Sequence, residues 1–241
     1  MKLATGVKRL DELLEGGVPA QSCTLLVGPP FLGKEVLARL FLLAGLRAGQ
    51  PAVMVCTDAT AAEATGFLEA IEPRTVEWVQ RGLLRFVDTY SRTIGADDHH
   101  PTAELVDGTL DLNALSGAVN AAQQQLLPHG PQHRLVFDSL STLLAYTNPP
   151  TAFRFLQVFL GRARRAGATT MLQLEAGMHA EADVQMLKHL AHGVIEVRSE
   201  AGKPLLRVEG LGVTESRGWV EYRFGERNVE LIGSFAAGRI R

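Results

Sequence analysis

Cysteine is almost missing from the chain: Cys23 and Cys56 are the only two in 241 residues. Each lies at or inside a predicted core strand, so the pair reads as reduced thiols filling apolar space, and neither reads as a nucleophile. An excess of charge is missing too. A net charge of −2 and a pI near 6.4 argue against a dedicated polyanion surface, which sets nucleic acid aside as an expected partner. No apolar run reaches membrane-spanning length, and Met1-Lys2-Leu3-Ala4-Thr5 lacks the long apolar region of a secretory signal. These absences predict a cytoplasmic protein with no membrane association.

What is present is enough apolar sequence, 46%, for the buried core of one generous α/β domain. The expected organisation is a single domain over 1–241: an N-terminal helix and turn (1–20), an α/β core (21–200), antiparallel C-terminal strands (201–235) and a tail (236–241). Its centre is Leu25-Leu26-Val27-Gly28-Pro29-Pro30-Phe31-Leu32-Gly33-Lys34-Glu35-Val36-Leu37, an apolar run, a tight loop and a helical pattern. The skeleton G-x-x-x-x-G-K in that context is a phosphate-binding P-loop. Gly28 and Gly33 allow backbone angles that turn successive amides toward a phosphate. The following helix N-terminus adds partial positive charge, and Lys34 adds a full one. Residues 28–36, Gly28 through Pro29, Pro30, Phe31, Leu32, Gly33, Lys34 and Glu35 to Val36, are therefore the candidate nucleotide-binding segment.

One position departs from the motif. The residue after the lysine is ordinarily Ser or Thr, whose hydroxyl ligates the Mg²⁺ that travels with ATP, and here it is Glu35. A carboxylate binds Mg²⁺, but it also brings negative charge to the phosphates. Two unit charges about 4 Å apart at an effective dielectric of about 20 interact by about 4 kcal/mol, enough to offset much of what Lys34 contributes. Glu35 is thus a candidate metal ligand and, equally, a candidate cause of lost catalysis.

Along the chain, Leu10, Leu13 and Leu14 share a helical face within residues 5–19. Helices are predicted over 34–48, 60–71, 112–127 and 152–166. They alternate with strands at 23–27, 52–57, 83–87, 135–139 and 169–174, which implies a mostly parallel sheet with helices on both faces. Residues 88–113 read as a loop rich in breakers and charge, where Asp97-Asp98-His99-His100 is assigned no metal site. From Gly193 the period becomes two, and strands at 205–209, 219–224 and 229–232 predict an antiparallel extension. Leu135-Val136-Phe137-Asp138-Ser139 ends in an acid, the form of a Walker B element, so Asp138 is the second candidate Mg²⁺ ligand. Glu175, at the end of another strand, is left without an assigned role. The arginines closing the 152–166 helix suit its dipole, and His189 and His192 read as finishing a helix.

Several blocks agree in order and spacing: Thr5-Gly6-Val7 through Leu10-Asp11-Glu12-Leu13-Leu14, Gly16-Gly17-Val18-Pro19, the P-loop, and Phe137-Asp138-Ser139-Leu140-Ser141-Thr142-Leu143-Leu144. Together they resemble the KaiC-like branch of RecA-superfamily ATPases over nearly the whole chain. The resemblance implies a RecA-like P-loop fold, ATP and Mg²⁺ as ligands, and a homo-oligomeric ring, such as a hexamer, with ATP between subunits. It also implies catalytic positions. The family's water-activating acid, often a Glu-Glu pair, corresponds to Asp58-Ala59, and its Lys-x-Arg-Gly finger corresponds to Arg207-Val208-Glu209-Gly210. Asp58 and Arg207 are therefore the candidate catalytic residues. Glu209 reverses the charge where an arginine finger, worth roughly 10³ to 10⁵ in rate, would stand.

The departures at Glu35, Asp58-Ala59 and Glu209 fall on metal binding, water activation and transition-state charge. They favour a nucleotide-binding regulatory or assembly module with impaired or lost hydrolysis, working with a regulatory protein partner. Two alternatives stay open. One is an active Mg²⁺-dependent ATPase using Glu35, Asp58 and Arg207, and the other is a DNA-repair recombinase accessory, against which composition speaks.

Overall fold

The computed structural model describes residues 1–96, 99–108, 111–212 and 218–232. In chain order these form β1 (Lys2–Leu3), α1 (Lys8–Leu13), β2 (Val18–Pro19), β3 (Cys23–Gly28), α2 (Lys34–Arg47), β4 (Ala52–Cys56), α3 (Ala61–Ile71), α4 (Thr75–Gln80) and β5 (Leu84–Asp88). They continue with β6 (Ala103–Leu105), α5 (Leu112–Leu126), β7 (His133–Asp138), α6 (Leu140–Tyr146), α7 (Pro149–Arg165), β8 (Ala168–Glu175) and α8 (Glu181–Leu190). Four strands close the order: β9 (Gly193–Glu200), β10 (Lys203–Gly210), β11 (Val220–Phe224) and β12 (Val229–Leu231). The expected 236–241 tail and Asp97-Asp98 lie outside the described residues.

Ten strands form one sheet in the order β12-β11-β10-β9-β3-β8-β7-β4-β5-β6. From β9 to β6 every neighbouring pair is parallel. β10, β11 and β12 add on antiparallel, as the C-terminal period of two predicts. β3 lies at the centre because its residues are buried throughout. Successive side chains of a strand point to opposite faces. Leu26 accordingly joins the apolar layer under α2 and α3, while Leu25 and Val27 join the layer under α5, α7 and α8.

Among the α-helices and the strands of the ten-stranded sheet, three elements differ from the sequence expectation. The 88–113 stretch holds a strand, β6, which pairs parallel with β5 through Phe86–Ala103 and Asp88–Leu105. It is three residues long and half-buried, too short for a visible alternation. Helices α4 and α6 were likewise not expected. α6 starts directly after the Walker B strand, where the Ser139 hydroxyl accepts the Ser141 N–H as an N-cap.

One buried cation fixes the P-loop helix. Arg134, at the start of β7, is only 2% exposed. Its guanidinium donates to the carbonyls of Ala4 and Phe41, each at 2.6 Å, and to Gln50 Oε1 at 3.1 Å, and lies 4.6 Å from the Phe41 ring centroid. Burial pulls its pKa down to about 10, so it remains charged at neutral pH. The N-terminal arm, α2 and β7 are thereby joined at one point, and the opposite end of α2 is left to carry the cradle.

Candidate functional site

The cradle forms where β3 ends and α2 begins. Gly33 has a left-handed backbone, φ 78°, at the N-cap of α2, and offers no side chain to the amides of the first turn. Those amides are what an anion meets at a helix N-terminus. Gly28 is demanded by space: a Cβ there would stand 2.1 Å from Val197 Cγ2 on the adjoining β9. Pro29 and Pro30 lead into Phe31, which also has positive φ, 64°, and is 88% exposed. Leu32 is half-buried and Val36 buried, both on the α2 layer of the core. The loop is braced from the C-terminal strands. The Tyr222 hydroxyl donates to Leu32 O at 2.5 Å, and the Phe224 ring packs where a Cβ on Gly33 would intrude at 2.7 Å.

Lys34 is the motif lysine, and its side chain is 2% exposed. Its Nζ is held at 2.5 Å by Glu35 Oε1 and at 2.5 Å by Glu175 Oε1, the two carboxylates flanking one ammonium. Glu175 comes from the end of β8, beside β3 in the sheet. Its N–H donates to Ser141 Oγ at 2.9 Å, and His179 Nε2 lies 2.9 Å from that same hydroxyl. Glu175 Oε2 is buried with no hydrogen-bond partner among the described residues. Glu175, which the sequence left without a role, is thus a direct partner of the P-loop lysine.

Asp138 ends β7 as expected. Burial first and the neighbouring Asp58 next raise its pKa to about 6, against the downward pull of Arg39 and Lys34. Asp58 follows β4, and its Oδ1 accepts the Thr142 hydroxyl in a short hydrogen bond. It lines a cleft of about 490 Å³ with Thr57, Thr89, Tyr90, Ser141 and Tyr146 at the C-terminal edge of the sheet. Asp88, another acid ending a strand, is fully used in structure: it accepts the N–H groups of Ala61, Tyr90 and Ser91 and the Ser91 hydroxyl.

Arg207 lies apart from this group on β10. It pairs with Glu196 at 2.7 Å and Glu209 at 3.1 Å, and its guanidinium lies 4.7 Å from the Trp219 ring centroid. The hydrogen bond it donates to Glu196 holds its pKa up. The remaining sequence candidates are structural. His192 Nδ1 accepts the Cys23 N–H at 3.1 Å, and His100 packs edge-on against Phe86. Burial raises both thiols, Cys23 to about 12, which keeps them unreactive.

Sequence reasoning missed Arg39. It lies one turn after Glu35 on α2, with its guanidinium 4.5 Å from the Phe67 ring centroid on α3 and its Nε buried without a hydrogen-bond partner among the described residues. Glu35 and Arg39 stand at i and i+4, the spacing that places two side chains on one helical face. That spacing was the available signal.

The fold and the glycine-framed cradle define a RecA-type P-loop ATPase domain. The sequence matches the KaiC ATPase family over residues 3–217, and the chain belongs to that family. It is 28% identical over 179 residues to a UPF0273 protein of Methanopyrus kandleri, covering 74% of this chain and 68% of that one. A UPF0273 protein of Pyrococcus furiosus is 26% identical over 161 residues, covering 67% and 62%. The alignments therefore span about two thirds of these curated relatives' own length. Among solved structures, a KaiC-like protein of Pyrococcus horikoshii superposes with a TM-score of 0.72 at 17% identity, over 97% of this chain and 99% of that one, a likeness of fold.

Nucleotide and Mg²⁺ binding are general to such ATPase domains. The residues here fit the nucleotide's phosphates: a left-handed Gly33, an uncapped helix N-terminus and a lysine. They do not fit the metal. The hydroxyl donor after the lysine is missing and Glu35 is turned onto Lys34. Among the described residues no group of three or more His, Cys, Asp or Glu side chains is arranged to hold a metal ion.

Proposed function

We propose that this is a nucleotide-binding KaiC-type domain whose ATP hydrolysis is weak or absent, acting as a regulatory or assembly module in a cytoplasmic homo-oligomer. The observation that carries the reading is the engagement of Lys34 by both Glu35 and Glu175. A triphosphate has to compete with two carboxylates for the one lysine that would neutralise charge building on the transferring group. The other two catalytic tasks are weakened in the same direction. Asp58 is a single short acid already hydrogen-bonded to Thr142, and Arg207 is paired within its own subunit.

The nucleotide segment in this reading is Gly28 to Val36. Phe31, 88% exposed at the loop tip, supports a ring in which the cradle faces a second copy of the chain. A regulatory protein partner would then read the ring's nucleotide state. The test is calorimetric titration with ATP together with a phosphate-release assay. The reading expects ATP binding that Lys34→Ala abolishes and turnover no higher than that variant's background. Turnover lost in both Lys34→Ala and Asp58→Asn would establish the active ATPase instead.

A further inference from the structure

We infer that a cleft at the edge of the sheet opposite the cradle is a second binding site, one for a small organic anion bearing a carboxylate or phosphate group. The inference goes beyond the nucleotide reading and does not depend on it. The cleft encloses about 370 Å³, within the size range of small-molecule sites. It opens where β3 and β8 begin, at Cys23 and Ala168, whereas Gly28 and Glu175, at the other ends of those strands, belong to the cradle. The length of β3 separates the two by about 16 Å, so no one small ligand occupies both.

The lining converges from three elements. Gln157 and Arg164 come from α7, His189 and His192 from the end of α8, and Gln21 from the approach to β3, with Phe153 and Leu160 as an apolar wall. No Asp or Glu lines the cleft. His192 is strapped twice to the first residue of β3: its N–H donates to Cys23 O at 2.8 Å, and its Nδ1 accepts the Cys23 N–H at 3.1 Å. A backbone N–H can only donate, so in the neutral ring Nδ1 carries no proton and Nε2 does. The bond that gives His192 its structural place therefore also sets out a fixed donor. Gln21 is tied down as well, its N–H donating to Thr169 Oγ1 at 2.9 Å. The Arg164 guanidinium, the His189 ring and the side-chain amides of Gln21 and Gln157 have no hydrogen-bond partner among the described residues.

Arginines at a helix C-terminus ordinarily answer its dipole, but here they exceed it. The C-terminal ends of α7 and α8 carry about half a negative charge each, about one together. Against them stand Arg162, Arg164 and Arg165 in the last turn of α7, and among the described residues none of the three pairs with a carboxylate. Arg162 makes only a long hydrogen bond to Ser116 Oγ, at 3.4 Å. Positive charge is left over, and Arg164 is the arginine of the three that lines the cleft. A guanidinium fork matches two oxygens of a carboxylate or phosphate, imidazole and carboxamide N–H groups supply further donors, and the apolar wall takes the body of the ligand.

The experiment is calorimetric titration of the full chain carrying Lys34→Ala, which takes away the cation of the cradle so that binding elsewhere is read. Inorganic phosphate is the probe in one arm and succinate in the other, and the tighter of the two tells phosphate from carboxylate. Saturable binding of at least one probe is expected, with a dissociation constant of about 1 mM or below. Arg164→Gln should weaken it by about 10- to 100-fold, the range for hydrogen bonds to a charged group. Arg165→Gln removes the same charge one residue away, outside the cleft, and should leave binding within about twofold. No saturable binding of either probe, or equal effects of the two substitutions, would overturn the inference and leave the nucleotide reading as it stands.

Discussion

Replacing Asp138 by asparagine should stabilise the metal-free protein at neutral and alkaline pH, and the gain should fade as the pH falls. The Asp138 carboxyl titrates near about 6 in the folded chain against an ordinary value of 3.8, because burial and the charge on Asp58 disfavour ionisation. Its folded pKa is raised, so its favourable contribution is complete below the unfolded value and is lost as pH rises through about 6. Above that, the ionised folded form carries a cost of about 3 kcal/mol, from 1.36 kcal/mol per pKa unit. At about pH 5 the same titration leaves about half of that cost. An uncharged isostere removes that cost. In EDTA, Asp138→Asn should therefore raise the unfolding midpoint at about pH 8 by about 6 to 12 °C for a chain of this size, and by about half as much at about pH 5. The assay is thermal unfolding followed by circular dichroism across that range. A variant less stable than the parent at pH 8, or a gain that does not change with pH, refutes the reasoning that Asp138 is held in an unfavourable charged state.

Glu175→Gln removes one of the two carboxylates on Lys34 while keeping its size, and should tighten ATP binding by about tenfold or more, read by calorimetry. No change or a weakening would mean that Glu175 orders the lysine and does not compete with phosphate. Arg134→Met keeps the bulk of the side chain but strips the carbonyls of Ala4 and Phe41 of a buried donor. It should cost about 3 kcal/mol or more in urea unfolding and should loosen the N-terminal arm in hydrogen exchange. A loss under 1 kcal/mol would contradict its role as the joint between the arm, α2 and β7.

The sequence made the frame legible wherever local periodicity and motif coincide. β3, α2 and the strand ending in Asp138 fall within a few residues of their expected bounds, because each combines an apolar pattern with a sharp boundary: Gly28, Gly33 or a terminal acid. β6 was hidden because three half-buried residues have no period of their own and become a strand only through pairing with β5. The site divides in the same way. Glu35 announced itself as an exception to a motif, whereas Glu175 reaches Lys34 across 141 residues of chain and Tyr222 reaches Leu32 across 190. Arg39 is an unremarkable arginine on a largely buried helix until Phe67 is folded against it. Contacts of this kind are set by sheet order, which local pattern does not encode.

The central claim is that a phosphate cradle is kept here while its catalytic groups are paired away or shortened. Single-turnover conversion of pre-bound ATP to ADP, with protein in excess and Mg²⁺ present, tests it most directly. The account predicts that ATP stays intact at the rate seen with Lys34→Ala protein, whereas rapid ADP formation that is lost in both Lys34→Ala and Asp58→Asn would contradict it.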